Sequence, residues 1–284
     1  MDTSLTSPQA SADLYRAADG PSTARLRAHW LGGHDTQPAD RRLSVKVLRR
    51  APGIANATRE GLRFTDAAVR ALADKGMRQA VILGQGYPTK PYVHDAIAHP
   101  HRETRALYVT HDTIVIAHAR ALLTSRAPAS CTEHLQADFT QPETVLESPH
   151  LRHSINLSEP IVLVLDSVLH FHPDAPGRPM TAVIGQYLQA LAPGSAIVIT
   201  HLTSDFDAHS MDKAAALLQQ TGVPFQPRSR QQILDLVADW RRLAPKDAAP
   251  YAYLHPAVKP PLTAVSGAAY AVIARKPGAA GHLL

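Results

Sequence analysis

Short apolar runs that alternate with helical patterns constrain this chain more than any other feature. The runs are Gln79–Leu83, Ala106–Val109, His134–Ala137, Ile161–Leu165 and Ala196–Thr200, each bounded by turn residues. They are apolar on both faces, which suits strands of a parallel sheet covered on both sides by helices. Helical patterns fall at 39–50, 58–75, 112–125, 178–192, 208–220 and 229–238, with a further strand at Gly267–Ala274 and a weaker one at Trp240–Leu243. This predicts an α/β fold built on a parallel sheet. We divide the chain into a polar tail (1–20), an N-terminal helical cap (21–76) and an α/β domain (77–284). Pro245–Pro261 contains five prolines and reads as an irregular surface excursion within that domain.

Composition narrows the function classes. A chain of 284 residues can bury roughly three quarters of its unfolded surface without staples. No apolar run is long enough to span a bilayer, and the first residues lack a basic head with an apolar core, so neither a membrane nor a secretory route is expected. Cys131 is the sole cysteine. It allows neither an internal disulfide nor a Cys-based zinc site, and a reducing cytoplasm fits. Arg25, Arg27, Arg41, Arg42, Lys46, Arg49 and Arg50 form the densest basic cluster. It reads as a solvated helix face first and an anion site second. With only 5% aromatic residues, base-stacking platforms and hence a nucleic-acid partner are not expected.

In an open α/β sheet, ligands sit beyond the carboxyl ends of the strands. That rule selects Gly84, Gln85, Gly86 and Tyr87 after the first strand. It selects Thr110, His111 and Asp112 after the second, and Asp138 after the third. Asp166, Ser167, His170 and His172 follow the fourth strand, and His201 the fifth. Gly84-Gln85-Gly86 permits a tight turn and close ligand approach. The full dinucleotide fingerprint is absent because Thr89 stands at its third glycine, and neither a phosphate loop nor a G-x-S-x-G elbow is present.

Several segments together resemble one family: Pro21-Ser22-Thr23-Ala24-Arg25, Leu31-Gly32-Gly33-His34-Asp35, Arg59-Glu60, Gly84-Gln85-Gly86-Tyr87-Pro88-Thr89, the stretch Ile114–Leu123, Ala137-Asp138, Val168-Leu169-His170-Phe171, Asp205-Phe206 and Arg228-Ser229-Arg230. The chain is similar to actinobacterial S-adenosyl methyltransferases once labelled a domain of unknown function. The resemblance implies a Rossmann-like class I methyltransferase fold, a seven-stranded and mostly parallel sheet with helices on both faces and an antiparallel last strand. It also implies a cofactor site at Gly84, Gly86, Thr110, His111 and Asp138.

The departures from that pattern are as informative. Where the family places an acid before the first glycine, this chain has Ile82, and where it places the ribose-binding acid, this chain has Thr110. A Tyr-Asp-Tyr segment is replaced at Arg27-Ala28-His29-Trp30, and an Asn at Gly61. A carboxylate that accepts from two ribose hydroxyls makes bonds worth about 1.5–3 kcal/mol each. Its loss weakens cofactor binding by roughly one to three orders of magnitude. Asp166, in turn, stands where the family has an apolar residue. We read it either as a cap on a helical turn or as half of an acid–base pair with His170 or His201.

A metal at His170, His172 and Asp174 or His201 is a weak alternative, and none is expected. The leading expectation is a methyltransferase-fold enzyme that needs no cofactor and performs cyclisation, isomerisation or dehydration on a small apolar natural-product intermediate. The alternatives are a true S-adenosylmethionine-dependent O- or N-methyltransferase and a ligand-binding pseudoenzyme. A homodimer is left open.

Overall fold

The computed structural model describes residues 20–124, 130–244 and 268–278. Seven strands form one sheet in the order β3-β2-β1-β4-β5-β7-β6. They are β1 (Gln79–Leu83), β2 (Thr104–Thr110), β3 (Ser130–Gln136), β4 (Val162–Asp166), β5 (Ala196–Leu202), β6 (Arg241–Ala244) and β7 (Ala269–Arg275). The first five are parallel, and β7 runs antiparallel to both β5 and β6. The expected mostly parallel sheet with a reversed last strand is therefore present. The excursion read at Pro245–Pro261 and most of the tail lie outside the described residues.

Ten helices join the strands among the described residues: α1 (Thr23–Trp30), α2 (Pro38–Arg50), α3 (Gly53–Asp74), α4 (Val93–Ile97), α5 (Thr113–Leu122), α6 (Pro142–Leu146), α7 (Pro149–Ser154), α8 (Met180–Ala190), α9 (Ala208–Gln220) and α10 (Arg230–Asp235). The side-chain period of two explains why the strands read as continuous apolar runs. On one face Val81, Leu83, Leu163, Leu165, Ile197 and Ile199 pack under Val183, Ile184 and Tyr187 of α8. On the other, Ala80, Ile82, Val162, Val164, Ala196 and Val198 pack under Phe64, Ala68, Val69 and Leu72 of α3. Each such side chain contributes roughly 1.5–3 kcal/mol when fully buried, so the alternation fixes the register of every strand. A third apolar cluster joins α1, α2 and α9 through Leu26, Trp30, Leu43, Val47, Ala214 and Leu218.

α3 crosses from that third cluster onto the sheet, so the segment assigned to a helical cap shares its core with the strands. No helix among the described residues is long and apolar enough to cross a membrane.

Candidate functional site

The turn after β1 is the hub of the strand-end surface. Gln85 donates its backbone N–H to Val109 O at 2.8 Å, which pins the turn to the end of β2. Gly84 has φ +70°, and a Cβ there would lie 2.4 Å from Val168 Cγ2. The position thus needs glycine both for its backbone and for the side chain packed over it. Gly86 is different: an added Cβ would meet only Arg27, at 3.7 Å from Nη1.

Arg27 comes from α1 and forms a buried ion pair with Asp166 at the end of β4. Asp166 Oδ1 also accepts from Thr200 Oγ1 at 2.7 Å and from Ser167 Oγ at 3.1 Å. Ser167 adopts φ +52°, a left-handed conformation unfavourable for a side-chain-bearing residue. Its N–H donates to Thr200 Oγ1 at 2.9 Å, which helps hold that conformation. Gly61 of α3 faces this corner, and a Cβ there would come within 3.1 Å of Ser167 Oγ and 3.2 Å of Thr200 Oγ1. Two departures noted in the sequence, Gly61 and Asp166, therefore meet in space. Ala28, a third, packs in a small apolar cluster with Tyr87 and Val115.

The expected pairing of Asp166 with a histidine is not formed, and neither is a helix cap. The oxygens of Asp166 are taken by Arg27, Ser167 and Thr200, and the short 3-10 turn at Leu169–Phe171 is capped from Val168. His170 is fully buried beside His201 and Phe225, and neither of its ring nitrogens has a partner. Burial, with His201 next to it, holds His170 well below the usual histidine range. His201 Nδ1–H donates to Leu202 O at 2.6 Å, and Nε2 accepts from Arg228 Nη1 at 3.1 Å. Burial and the Arg228 charge push His201 down to about 3. Arg228 also donates to Leu169 O and His172 O, so it clasps the turn after β4 onto β5. Asp174 serves Arg228 and the N-terminus of α8. Among the described residues no group of three His, Cys, Asp or Glu side chains is placed to hold a metal ion.

Two clefts open on either side of the glycine turn, and Arg27, Gly84, Gln85 and Gly86 line both. The first, with a cavity volume of ≈ 40 Å³, lies toward β2 between the turn, Thr110, His111, Asp112, Val168 and His172. Here Thr110 Oγ1 accepts from Asp112 N–H at 3.3 Å, and Asp112 Oδ1 caps α5 through Ile114 and Val115. His172 packs on Phe139 with ring centroids 4.6 Å apart, and burial pushes it down to about 4. Asp138 is not on the wall of either cleft. Its Oδ1 accepts from Thr140 N at 2.9 Å and Thr140 Oγ1 at 2.8 Å. Burial opposes ionisation there, but those bonds hold the carboxyl below its ordinary value. The second cleft, toward α3, has a cavity volume of ≈ 40 Å³ and is walled by Ile82, Tyr92, Tyr108 and Val164 among others.

A family model described as S-adenosyl methyltransferase matches residues 9–277. The chain belongs to that family. A DUF574 family protein from Streptomyces avermitilis MA-4680 is similar at 25% identity, over 91% of this chain and 98% of that one, with a TM-score of 0.82. A putative methyltransferase from Thermobifida fusca YX is similar at 29% identity, over 92% and 96% of the two chains, with a TM-score of 0.80. No curated protein matches the sequence significantly. This S-adenosyl methyltransferase family member thus has the class I methyltransferase fold that its motifs implied.

Of the residues selected from the sequence, Gly84, Gly86, Thr110, His111 and Asp166 line one or both of these clefts, whereas Asp138, His170 and His201 line neither. Sequence reasoning missed Arg27 as a site residue and placed it in a surface cluster. The available signal was a cation in α1 and an anion at a strand end, each standing in a segment that departs from the family pattern.

Proposed function

We propose that this family member acts on a small apolar molecule at the strand-end surface, with the Arg27–Asp166 pair as its polar anchor and without S-adenosylmethionine as methyl donor. The observation that carries the reading is the guanidinium of Arg27, lying over Gly86 and paired to Asp166. A cationic sulfonium and ammonium group crossing this turn would meet that guanidinium. Ile82, where the family pattern has an acid, sits in the apolar core at 4% exposure. Thr110 offers a hydroxyl that already accepts a backbone bond, where a ribose calls for a carboxylate. The donor and acceptor set is therefore a poor match for the cofactor.

The chain's own groups support a different chemistry. Arg27 lines both clefts, and its guanidinium is held by Asp166. A fixed N–H donor of this kind stabilises negative charge developing on a substrate oxygen, and Asp166 keeps the guanidinium from reorienting. Isomerisation, cyclisation or dehydration of a bound molecule needs such polarisation and positioning, and no second reactant. The buried histidines do not serve as the proton carrier. His201 has both ring nitrogens engaged, and His170 is sealed from both clefts.

A second reading, S-adenosylmethionine-dependent O- or N-methylation of a small molecule, draws on family membership and on the open face of Gly86. Isothermal titration of the full chain with S-adenosylmethionine and S-adenosylhomocysteine separates the two. We expect no saturable binding tighter than ~1 mM, where the binding free energy is only about −4 kcal/mol. A micromolar Kd overturns the proposal in favour of methyl transfer.

A further inference from the structure

At the end of the sheet opposite the glycine turn lies a cavity of ≈ 410 Å³, against ≈ 40 Å³ for each cleft beside that turn. It opens where β2 begins and where the chain runs from α7 into β4. A space of this size falls in the range of roughly 300–1,000 Å³ usual for small-molecule sites. Its frame is held from below. Gln79, the buried first residue of β1, donates Nε2 to Asn156 O at 3.0 Å, and Asn156 N donates to Gln79 Oε1 at 2.7 Å. Glu159 N also donates to Asn156 O, at 3.1 Å, so the loop on the cavity wall is pinned to the base of the sheet. Ile155 is buried in the core beneath and Leu157 half-buried against it, which gives the cavity a fixed apolar wall.

Four charged residues line the same cavity: Glu103, Arg105, Arg152 and Glu159. Two of them neutralise each other. Arg105 Nη2 pairs with Glu103 Oε1 at 2.6 Å, and its Nη1 donates to His153 O and Ser154 O at the end of α7. The other two are open. Neither the Arg152 guanidinium nor the Glu159 carboxylate makes an ion pair or a hydrogen bond among the described residues. One free cation and one free anion therefore share a cavity with an apolar wall. A guest with a carboxylate alone leaves Glu159 unanswered, and a guest with an ammonium alone leaves Arg152 unanswered. We propose that this cavity binds a small zwitterion, an α-amino acid with an apolar side chain. Arg152 receives its carboxylate, Glu159 its ammonium, and Ile155 and Leu157 its side chain. The site is separate from the strand-end surface and does not depend on the function proposed there.

The test uses three probes on the full chain: L-leucine, 4-methylpentanoate, which lacks the ammonium, and 3-methylbutylamine, which lacks the carboxylate. Binding is followed by the methyl chemical shifts of Ile155 and Leu157. We expect saturable L-leucine binding, about fivefold tighter than that of either analogue, the gain that one ion pair at an open site gives. Arg152→Gln should remove the preference for L-leucine over 3-methylbutylamine. Glu159→Gln should remove the preference over 4-methylpentanoate. Both side chains are exposed, so neither replacement disturbs the core. Absence of saturable binding, equal affinity for the three probes, preferences unchanged in the two variants, or shifts confined to other methyl groups would each overturn the proposal. These outcomes are independent of S-adenosylmethionine affinity, so failure here is distinct from failure of the functional reading.

Discussion

The carboxyl ends of β1 and β2 contrast with those of β3 and β4. The first pair presents Ile82 and Thr110 near its ends, one absorbed into the core and the other bonded to its own backbone. The second pair presents Asp138 and Asp166, and both carboxylates are engaged by protein groups. The difference teaches that an acid at a strand end is not by itself a ligand-binding acid. Its existing donors must be counted first. By that count, neither Asp138 nor Asp166 is left free for a guest.

The largest expected effect comes from acid, which acts on the buried histidines that follow β4 and end β5. His170, His172 and His201 are neutral in the fold and held below the ordinary histidine value of ~6.5. As pH falls below that value, the unfolded chain takes up protons that the folded chain refuses, so stability falls. Each histidine contributes a slope approaching ~1.4 kcal/mol per pH unit until its folded pKa is reached. Urea unfolding at pH 7 and pH 5 should differ by more than ~3 kcal/mol. A flat profile would mean that these rings are hydrated.

Next in size is the anchor itself. Asp166→Ala leaves a buried guanidinium unpaired and should destabilise the chain by about 3–5 kcal/mol. The double replacement Arg27→Met/Asp166→Leu should cost less than either single change. Additive losses in denaturant titrations would show that the two charges act separately. The smallest effect sharpens the β2 side. Thr110→Asp restores a carboxylate to the end of that strand and should raise affinity for S-adenosylhomocysteine by about tenfold, or ~1.4 kcal/mol. No gain would place the obstacle at Arg27 and Ile82 instead.

Much of the fold was legible. The run Gln79–Leu83 is β1 residue for residue, because a central strand buried on both faces leaves an unbroken apolar stretch. The reading His134–Ala137 caught only part of β3, which spans Ser130–Gln136, because an edge strand carries polar residues. The helices α4, α6 and α7 are five or six residues long and too short to display an amphipathic cycle. α1 was hidden for another reason: its buried face carries Arg25 and Arg27, which pair with Asp40 and Asp166. The glycine turn, Thr110 and His111 were legible from the strand-end rule. The Arg27–Asp166 contact was not, because local periodicity carries no information about which distant charges meet.

Arg27 and Asp166 are separated by 139 positions in the chain. During synthesis the anchor cannot close until β4 has left the ribosome, and until then the nascent N-terminal segment carries an arginine with no counterion from the sheet. The roof over the glycine turn is therefore a late-assembled part of the molecule. Clipping the chain between α1 and α2 would sever that roof from its covalent tether while the strands beneath remain continuous.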